Sequence, residues 1–427
     1  MAMKTLGRPK DVGKNKPSSA KPPQFESTEY LLLASQSSFH RRRVGGDVLP
    51  MRPIYLDYNA TTPMDPRVFE AMKPYFLEEF GNAGSRTHLY GQRAKEAVEA
   101  ARGQVAAVLG TSPEEVIFTS GATESNNLAL LGLVEYGLKT GRRHVLSTAI
   151  EHKAVLEPLD QMRKLGFEVE LAPVTSGGYV EPDAIRQRLR GDTLLVSVMH
   201  ANNETGVLQP VEEIGEILAG SDTFFHTDAA QTFGKEVESL RRVKWDFVSI
   251  SGHKIYGPKG VGALGVRRGT GERRPLTPLL FGGGQERGLR PGTLSVPLIV
   301  ALGKAAELAG AEHRERRECA ARAKRLFLMA LREVEHEING DVERSQTHVV
   351  NVSFRGVDSE ALMLELRDVV AVSNGSACTS SQYAPSHVLL AMGIDEGLIE
   401  SALRISWGVG AIPSSAISDA VKKLRIW

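Results

Sequence analysis

The chain has 427 residues, of which 41% are hydrophobic and 24% are charged, and its formal net charge is +1. This composition is typical of a globular protein, and the near-zero charge argues against direct binding to nucleic acid. No stretch approaches 18 uninterrupted apolar residues, so we expect no transmembrane helix and no membrane partner. The two cysteines, Cys319 and Cys378, are too few for a disulfide framework and predict a reducing, cytoplasmic compartment.

The charge is distributed unevenly along the chain. Residues 1–52 carry a net charge of +6, and the remainder carries −5. Clusters of Gly, Pro, Lys and Ser without an apolar period predict a disordered N-terminal extension. A basic anchoring tail and a transit peptide are alternatives, although the acidic residues of this segment argue against the latter. A further alternative is that Met51 is the true start of the protein.

From residue 53 onward the pattern is that of an α/β protein. A short strand at 54–56 is followed by a polar turn, and Pro66 lies in the first turn of the next helix. A helix at 93–109 has Ala94, Val98 and Val105 on one face. Strands and helices then alternate. The predicted strands are 116–119, 144–148, 169–173, 194–199, 224–227, 247–250 and 263–266, and the predicted helices lie near 123–138, 153–165, 182–190, 211–219 and 232–242. This alternation predicts a mostly parallel seven-stranded sheet covered on both faces.

The regular alternation of strands and helices ends at the glycines at 282–284. A long helix is predicted over about 298–335. A strand at 349–354, a helix at 359–367, a Ser/Gly-rich loop at 373–381, a strand at 403–407 and a last helix from 414 follow. These elements predict a smaller C-terminal α/β domain. We therefore expect a large domain at 64–297 and a small domain formed by 53–63 and 298–427.

Residues capable of chemistry recur where the predicted strands end, the edge at which open parallel sheets bind ligands. Gly121, Ala122 and Thr123 follow the first large-domain strand and open a helix, so their backbone N–H groups can bind a phosphate. Later strand ends bring His152, Asn203, Asp228, His253 and Lys254. Each has an ordinary alternative: a helix cap, an interfacial histidine or a lysine in a surface turn.

The combination of these residues favours a pyridoxal phosphate site. A phosphate requires a helix N-terminus, the ring a flat imidazole to stack on, the pyridinium nitrogen a carboxylate, and the aldehyde a lysine. Lys254, at the end of a buried strand, suits Schiff-base chemistry because desolvation lowers the pKa of an amine. His226 and Asp228 could ligate a metal, but no Cys or His cluster completes a site, so we predict none.

One glycine motif is set aside. Residues 260–265 match G-x-G-x-x-G, the dinucleotide-binding pattern. They lead into a strand and not into a helix, so the required strand-before, helix-after context is missing.

A second candidate site lies in the predicted small domain. Cys378 occupies a loop of small polar residues, where a thiol is exposed and reactive, although a base or positive charge must help to form the thiolate. Cys319, on a charged helix, is interpreted as structural. Arg404 opens the strand at 403–407 and could bind a substrate carboxylate through a bidentate pair; a surface ion pair is the alternative.

Five motifs resemble those of the cysteine desulfurases of the IscS/NifS type, which are class V aminotransferase-like enzymes of PLP-dependent transferase fold type I. They are YLDYNATTP at 55–63, TSGATESNN at 119–127, SGHK at 251–254, GGGQERG at 282–288 with Gly292 and Thr293, and GSAC at 375–378. The resemblance extends from about residue 53 to residue 425. It implies a PLP-binding large domain and a small domain that carries the catalytic cysteine loop.

The resemblance also implies residue roles. Lys254 would bind pyridoxal 5′-phosphate and shuttle the substrate Cα proton, and His152 would stack on the ring and take part in acid–base steps. Asp228 would pair with the ring nitrogen and Gln231 with the ring oxygen. The implied phosphate ligands are Ala122, Thr123, Ser251, His253 and, from the other subunit of a homodimer, Thr293.

For the substrate, the resemblance implies that Asn203 and Arg404 bind the carboxylate of L-cysteine. Cys378 would take the sulfur as a persulfide and leave L-alanine. The sulfur acceptor would be an iron–sulfur scaffold or a thio-modification enzyme. Thr379 and Ser380, which follow Cys378, resemble the branch of the family that serves iron–sulfur assembly. Residues 80–88 and 383–387 are most similar to desulfurases of DNA phosphorothioation (Dnd-type) systems. Two enzymes are alternatives: a selenocysteine lyase, or a different class V aminotransferase that needs no cysteine nucleophile. A further alternative is a non-enzymatic scaffold or DNA-binding role of the basic N-terminus.

Overall fold

The computed structural model describes residues 53–268, 274–332, 334–374 and 385–408, together with the backbone of two short paired strands, β1 (Arg43–Val44) and β2 (Asp47–Val48). Apart from those strands, the predicted N-terminal extension lies outside the described residues. Cys378 and the helix predicted from residue 414 lie outside them as well. Within the described ranges, no helix is both long enough and apolar enough to span a bilayer.

The remaining strands agree closely with the prediction, except that the two-residue strands Glu337–Ile338 and Val370–Ala371 were not predicted. They are β3 (Ile54–Tyr55), β4 (Val116–Thr119), β5 (His144–Thr148), β6 (Glu168–Ala172), β7 (Thr193–Ser197), β8 (Phe224–Asp228), β9 (Phe247–Ser251), β10 (Gly262–Val266), β11 (Glu337–Ile338), β12 (Val349–Ser353), β13 (Val370–Ala371) and β14 (Ala402–Ser406).

The helices follow the strands in alternation through the first part of the chain. They are α1 (Pro66–Met72), α2 (Pro74–Leu77), α3 (Leu89–Leu109), α4 (Ala122–Leu131), α5 (Val134–Thr140), α6 (Lys153–Lys164), α7 (Pro182–Arg186), α8 (Val211–Leu218), α9 (Val237–Arg242), α10 (Val296–Leu331), α11 (Ser359–Leu366), α12 (His387–Ala391) and α13 (Glu396–Glu400). Short 3₁₀ turns occur at Pro113–Glu115, Gly252–Lys254 and Gln285–Gly288.

The large sheet has seven strands in the order β4-β10-β9-β8-β7-β5-β6. Only β10 runs antiparallel to its neighbours, β4 and β9; the other pairs are parallel. Most of these strands are buried along their whole length, because helices cover both faces of the sheet. The prediction of a mostly parallel seven-stranded α/β fold is confirmed. Its parallel strands carry their C-terminal ends to one edge, where the loops gather.

A second group of strands lies later in the chain. Strands β11, β12 and β14 form an antiparallel sheet, and β13 pairs in parallel with the early strand β3. Leu56, just after β3, belongs to the same apolar cluster as Phe327, Leu331 and Trp407. The start of the described chain thus packs with its end.

Helix α10 connects the two apolar cores. Its first half, including Leu302 and Ala306, packs in the core of the large sheet, whereas Phe327 and Leu331 near its end belong to the second cluster. Gly303 lies so close to α3 that a Cβ there would be 2.6 Å from the Cα of Ala101. Because this helix belongs to both cores, the domain boundary at 297/298 stays a prediction.

Several predicted helices have different limits in the structure; the helix expected at 182–190, for example, ends at Arg186. The helix expected at 93–109 begins at Leu89, since the His88 side chain accepts the Gly91 N–H at 3.1 Å and caps it. The helix expected near 123–138 is divided into α4 and α5 at Gly132, whose carbonyl accepts the N–H of Thr277. The helix expected at 232–242 begins only at Val237.

Candidate active site

A cavity of about 410 Å³ opens at the C-terminal edge of the large sheet. The predicted site residues that line it are Ala122, Thr123, His152, Asn203, Asp228, Gln231, Ser251, His253, Lys254 and Arg404. Asn59 and Asn126, for which we predicted no role, line it too. Thr293 is exposed and does not line this cavity, and Cys378 falls outside the described residues.

Lys254 ends the 3₁₀ turn that directly follows β9. The Gly252 carbonyl accepts the N–H of Ile255 at 3.1 Å, which closes the turn. The Lys254 Nζ donates to the carbonyl oxygens of Asn59 and, at 2.9 Å, Ala60. The amine is therefore anchored at the cavity wall by the backbone of the 59–60 turn.

His152 is the N-cap of α6, and its Nδ1 accepts the Ala154 N–H at 3.0 Å. In the neutral ring this bond places the remaining proton on Nε2. Burial lowers the pKa of His152; the negative charge of Asp228 opposes this effect and the positive charge of Lys254 adds to it. The cavity therefore presents a neutral, flat imidazole at pH 7.

Asp228 is the last residue of β8, and both of its carboxylate oxygens are held. Oδ1 accepts the Ala230 N–H at 2.8 Å, and Oδ2 accepts the Asn126 amide at 2.7 Å. Gln231 donates its Nε2 to the Asn59 carbonyl at 3.0 Å. These bonds fix the orientation of the carboxylate and of the amide at the wall of the cavity.

The start of helix α4 lines the same cavity. Gly121 is the N-cap of α4 at a φ of 154°, and no side chain of the described residues caps the start of this helix. The turn lies directly on β10: a Cβ at Gly262 would be 2.6 Å from the Gly121 Cα. The backbone donors of Ala122 and Thr123 are thus available to an anion. We call residues 121–123 the phosphate cradle.

His253 borders the cavity beside Lys254. Its Nδ1 lies 3.1 Å from the Thr61 hydroxyl, and burial together with the charge of Lys254 lowers the pKa of His253 to about 4. The ring is neutral at physiological pH, so it can act on an anion through a hydrogen bond and not through a charge.

Arg404 lies on β14 and is only 1% exposed, so the alternative of a surface ion pair is wrong. Its Nη2 donates to Asp57 at 2.8 Å and its Nη1 to the Asn203 carbonyl at 3.1 Å. The buried ion pair with Asp57 was not predicted, because 347 residues separate the partners. It fixes the guanidinium at the wall of the cavity.

The unpaired polar atoms of the site fit a polar aromatic ligand. Among the described residues, four buried side-chain atoms of this cavity lack a hydrogen-bond partner: Asn59 Oδ1, Asn126 Oδ1, Gln231 Oε1 and Arg404 Nε. Buried polar atoms without partners are costly unless a ligand or water satisfies them. The same described ranges contain no cluster of His, Cys, Asp and Glu able to hold a metal ion.

The seven-stranded sheet, the lysine at a strand end and the cradle at a helix start define the class of PLP-dependent enzymes of fold type I. Residues 54–411 match the family model described as aminotransferase class-V.

Three similar proteins indicate which group of the class-V family this chain belongs to. A cysteine desulfurase IscS of Anaeromyxobacter sp. (strain Fw109-5) is 48% identical over 88% of this chain and 92% of its own length. The crystal structure of DndA from Streptomyces lividans is 48% identical at a TM-score of 0.73, covering 82% of this chain and 98% of that one. A structure of SspA in complex with cysteine is 36% identical at a TM-score of 0.74, covering 84% and 100%. This chain therefore belongs to the class-V aminotransferase family and, within it, to the cysteine desulfurases, which are PLP-dependent enzymes.

Proposed function

We propose that this chain uses pyridoxal 5′-phosphate to remove sulfur from L-cysteine, with L-alanine as product and Cys378 as the first sulfur carrier. The observation that carries this proposal is that Lys254, His152 and Asp228 line one cavity together with the phosphate cradle. The GSAC motif at 375–378 resembles that of the cysteine desulfurases, which supports the role of Cys378. The similarity of the whole chain to desulfurase relatives supports it as well.

The residues of the cavity divide into a set for the cofactor and a set for the substrate. The cradle, Ser251 and His253 would hold the phosphate, while Asp228 and Gln231 would hold the ring nitrogen and the ring oxygen. When bound, the cofactor supplies an electron-withdrawing ring that makes the Cβ–S bond of the substrate breakable. The preset orientation of Asp228 by Asn126 supports this division.

Substrate binding falls to Arg404 and Asn203. Arg404 Nε has no hydrogen-bond partner among the described residues, so this guanidinium retains a donor for a substrate carboxylate although Asp57 already occupies Nη2. The SspA structure holds cysteine, which supports this amino acid as the substrate. Lys254 Nζ would accept and return the Cα proton, and the neutral imidazole of His152 would hold or pass on a proton at Nε2.

The sulfur leaves by thiol chemistry. The thiolate of Cys378 would attack the substrate sulfur; a new S–S bond forms, the C–S electron pair returns to carbon, and a proton completes alanine. A persulfide then remains on Cys378 for an acceptor, either an iron–sulfur scaffold or a thio-modification enzyme. The similarity to DndA favours an acceptor in DNA phosphorothioation. A cytoplasmic location stays a prediction.

A homodimer is part of the proposal. Thr293 is exposed, as a residue that reaches a partner's site would be in a single chain. Large apolar side chains are exposed in and just after the early helices and immediately before the glycines at 282–284: Phe69, Phe76, Leu77, Phe80, Leu280 and Phe281. Exposed apolar groups of this size are typical of an interface between proteins.

Two variants test the proposal. Lys254→Ala should abolish the visible absorbance of the lysine-bound cofactor, and Cys378→Ser should abolish sulfide release from cysteine while keeping that absorbance. Cys319→Ser is the matched control and should keep both. Full sulfide output from Cys378→Ser would instead favour another class V aminotransferase. A turnover of selenocysteine far above that of cysteine would favour selenocysteine lyase.

A further inference from the structure

Strand β4, which leads into the phosphate cradle, is an edge strand of the large sheet. Side chains take the place of a further strand along its open edge. Glu286 accepts the Phe118 N–H at 2.7 Å, while Arg102 and Arg287 donate to the Val116 carbonyl at 2.8 and 3.1 Å. The edge of β4 is thus closed by α3 and by the Gln285–Gly288 turn.

A buried ion pair holds this turn in place. Arg102 binds Glu286 through two hydrogen bonds of 2.7 and 2.8 Å, and the two side chains are 4% and 1% exposed. The backbone is left-handed at Glu286 and at Arg287, with φ values of 46° and 58°. Residues other than glycine rarely adopt this conformation, and it persists where surrounding contacts enforce it.

A second contact reaches the far side of the cradle. Arg290 donates its Nε to Glu124 Oε1 at 2.9 Å, and Glu124 Oε2 accepts the Ser120 N–H at 2.7 Å. The segment from Glu286 to Arg290 therefore holds the chain before the cradle, at Phe118, and after it, at Glu124. We call Glu286 and Arg290 the brace.

We propose that the brace positions the cradle for the cofactor phosphate. Neither brace residue lines the cavity, so both would act through the backbone that they hold. Binding groups must be held to within a fraction of an ångström, and two clamps on either side of a three-residue turn supply this precision. This inference rests on the proposed function, which places a phosphate at the cradle.

The test compares two ligands that differ only in the phosphate. Full-length protein freed of cofactor is titrated with pyridoxal 5′-phosphate and with pyridoxal, and the affinity for each is measured from absorbance. Both ligands can react with Lys254, but only one uses the cradle. Glu286→Gln should weaken pyridoxal 5′-phosphate binding about tenfold, because the amide presents a donor where Phe118 and Arg102 also donate. Pyridoxal binding should change less than about twofold, since it makes no use of the phosphate donors.

A second variant guards against misfolding, since loss of one charge from a buried pair is strongly destabilising. Arg290→Met alters a partly exposed pair and should cause the same phosphate-selective loss, about fivefold. Glu337→Gln, in the exposed pair with Arg355, is the matched control and should leave both affinities unchanged.

The outcomes are distinct. Equal losses for the two ligands, or an unchanged preference in folded Arg290→Met, would overturn the positioning role. If the unmodified protein itself does not prefer pyridoxal 5′-phosphate to pyridoxal, the proposed function fails instead.

Discussion

Glu151 precedes His152 and is a fully buried carboxyl group close to the charge of Asp228. Its Oε1 accepts hydrogen bonds from the Thr148 hydroxyl at 3.0 Å and the Met199 N–H at 2.8 Å, whereas Oε2 has no partner among the described residues. Burial, reinforced by Asp228, raises the pKa of Glu151 to about 8. At neutral pH the Glu151 carboxyl group is therefore protonated.

This protonation predicts a pH dependence of stability. The folded chain keeps the Glu151 proton up to about pH 8, whereas the unfolded chain releases it near 4.5. The stabilising contribution is thus complete below pH 4.5 and is lost as the pH rises to about 8. Between these limits the free energy of unfolding should fall by about 1.4 kcal/mol per pH unit relative to Glu151→Gln.

Chemical denaturation of both proteins at several pH values measures this difference. Glu157→Gln, at an exposed position of helix α6, which follows Glu151, is the control. A gap between the wild type and Glu151→Gln that stays constant with pH would mean that Glu151 titrates alike in the folded and unfolded chains.

Site residues that directly follow a predicted strand could be identified from the sequence. Hydrogen-bonded pairs of residues far apart in the chain could not. His152, Asp228 and Lys254 each follow an apolar run, so their common edge could be inferred. Asn126 was visible in its motif, but its bond to Asp228 joins residues 102 positions apart, and no local pattern indicates such a contact. The same holds for Asp57 and Arg404.

At the scale of elements, the contact between β10 and α4 sets the position of the cradle. An added methyl group at Gly262 would lie 2.4 Å from the Ile250 carbonyl oxygen and 2.6 Å from the Gly121 Cα. Both are backbone atoms, which cannot move aside as a side chain can. Gly262→Ala should therefore displace the cradle and weaken retention of pyridoxal 5′-phosphate about tenfold or more.

Equilibrium dialysis against the cofactor measures that retention. Gly265→Ala is a matched change on the same strand, where the new methyl group would meet the Val248 and Trp245 side chains and not the cradle. It should lower stability and leave cofactor retention near the wild-type value. Equal retention by both variants would show that the β10 contact does not set the cradle.

The glycine pattern of β10 shows why motifs need their structural context. Gly262 and Gly265 belong to the stretch that matches G-x-G-x-x-G, yet they lie within a strand and accommodate Gly121 and Trp245. The sequence excluded the dinucleotide motif from the elements around it, but it could not show which neighbours require these glycines. Gly121 precedes α4 and Trp245 lies in the loop before β9, and only the folded sheet brings them together.

At the scale of the molecule, the α/β class follows from the alternation of short apolar runs and helical segments. That α10 connects the two cores could not be predicted from this alternation. All 36 residues of the helix show the same helical pattern, so nothing in the pattern marks where one core ends and the other begins. The partner of each half is decided by packing: the first half lies against α3, and Phe327 lies 6.0 Å from the Trp407 ring, between centroids. Trp407 completes that core by donating its Nε1 to the Ala320 carbonyl.

The proposed homodimer predicts complementation between two inactive variants. If Thr293 serves the partner's phosphate, a dimer of one Lys254→Ala chain and one Thr293→Glu chain keeps one intact site, made of Lys254 from the second chain and Thr293 from the first. The glutamate is chosen because its negative charge repels a phosphate. Random mixing of equal amounts should restore about a quarter of the wild-type sulfide release, since half of the dimers are mixed and each has one working site.

Each variant alone sets the baseline, and the variants are mixed after mild dissociation, with light scattering to confirm dimers. If Thr293 instead acted within its own chain, no combination of these two variants would contain a complete site, and mixing would restore nothing. Mixing Lys254→Ala with Asp228→Asn is the control: both residues line the same cavity of one chain, so that mixture should stay inactive. Recovery in the first mixture but not in the second would identify Thr293 as the residue that crosses between subunits.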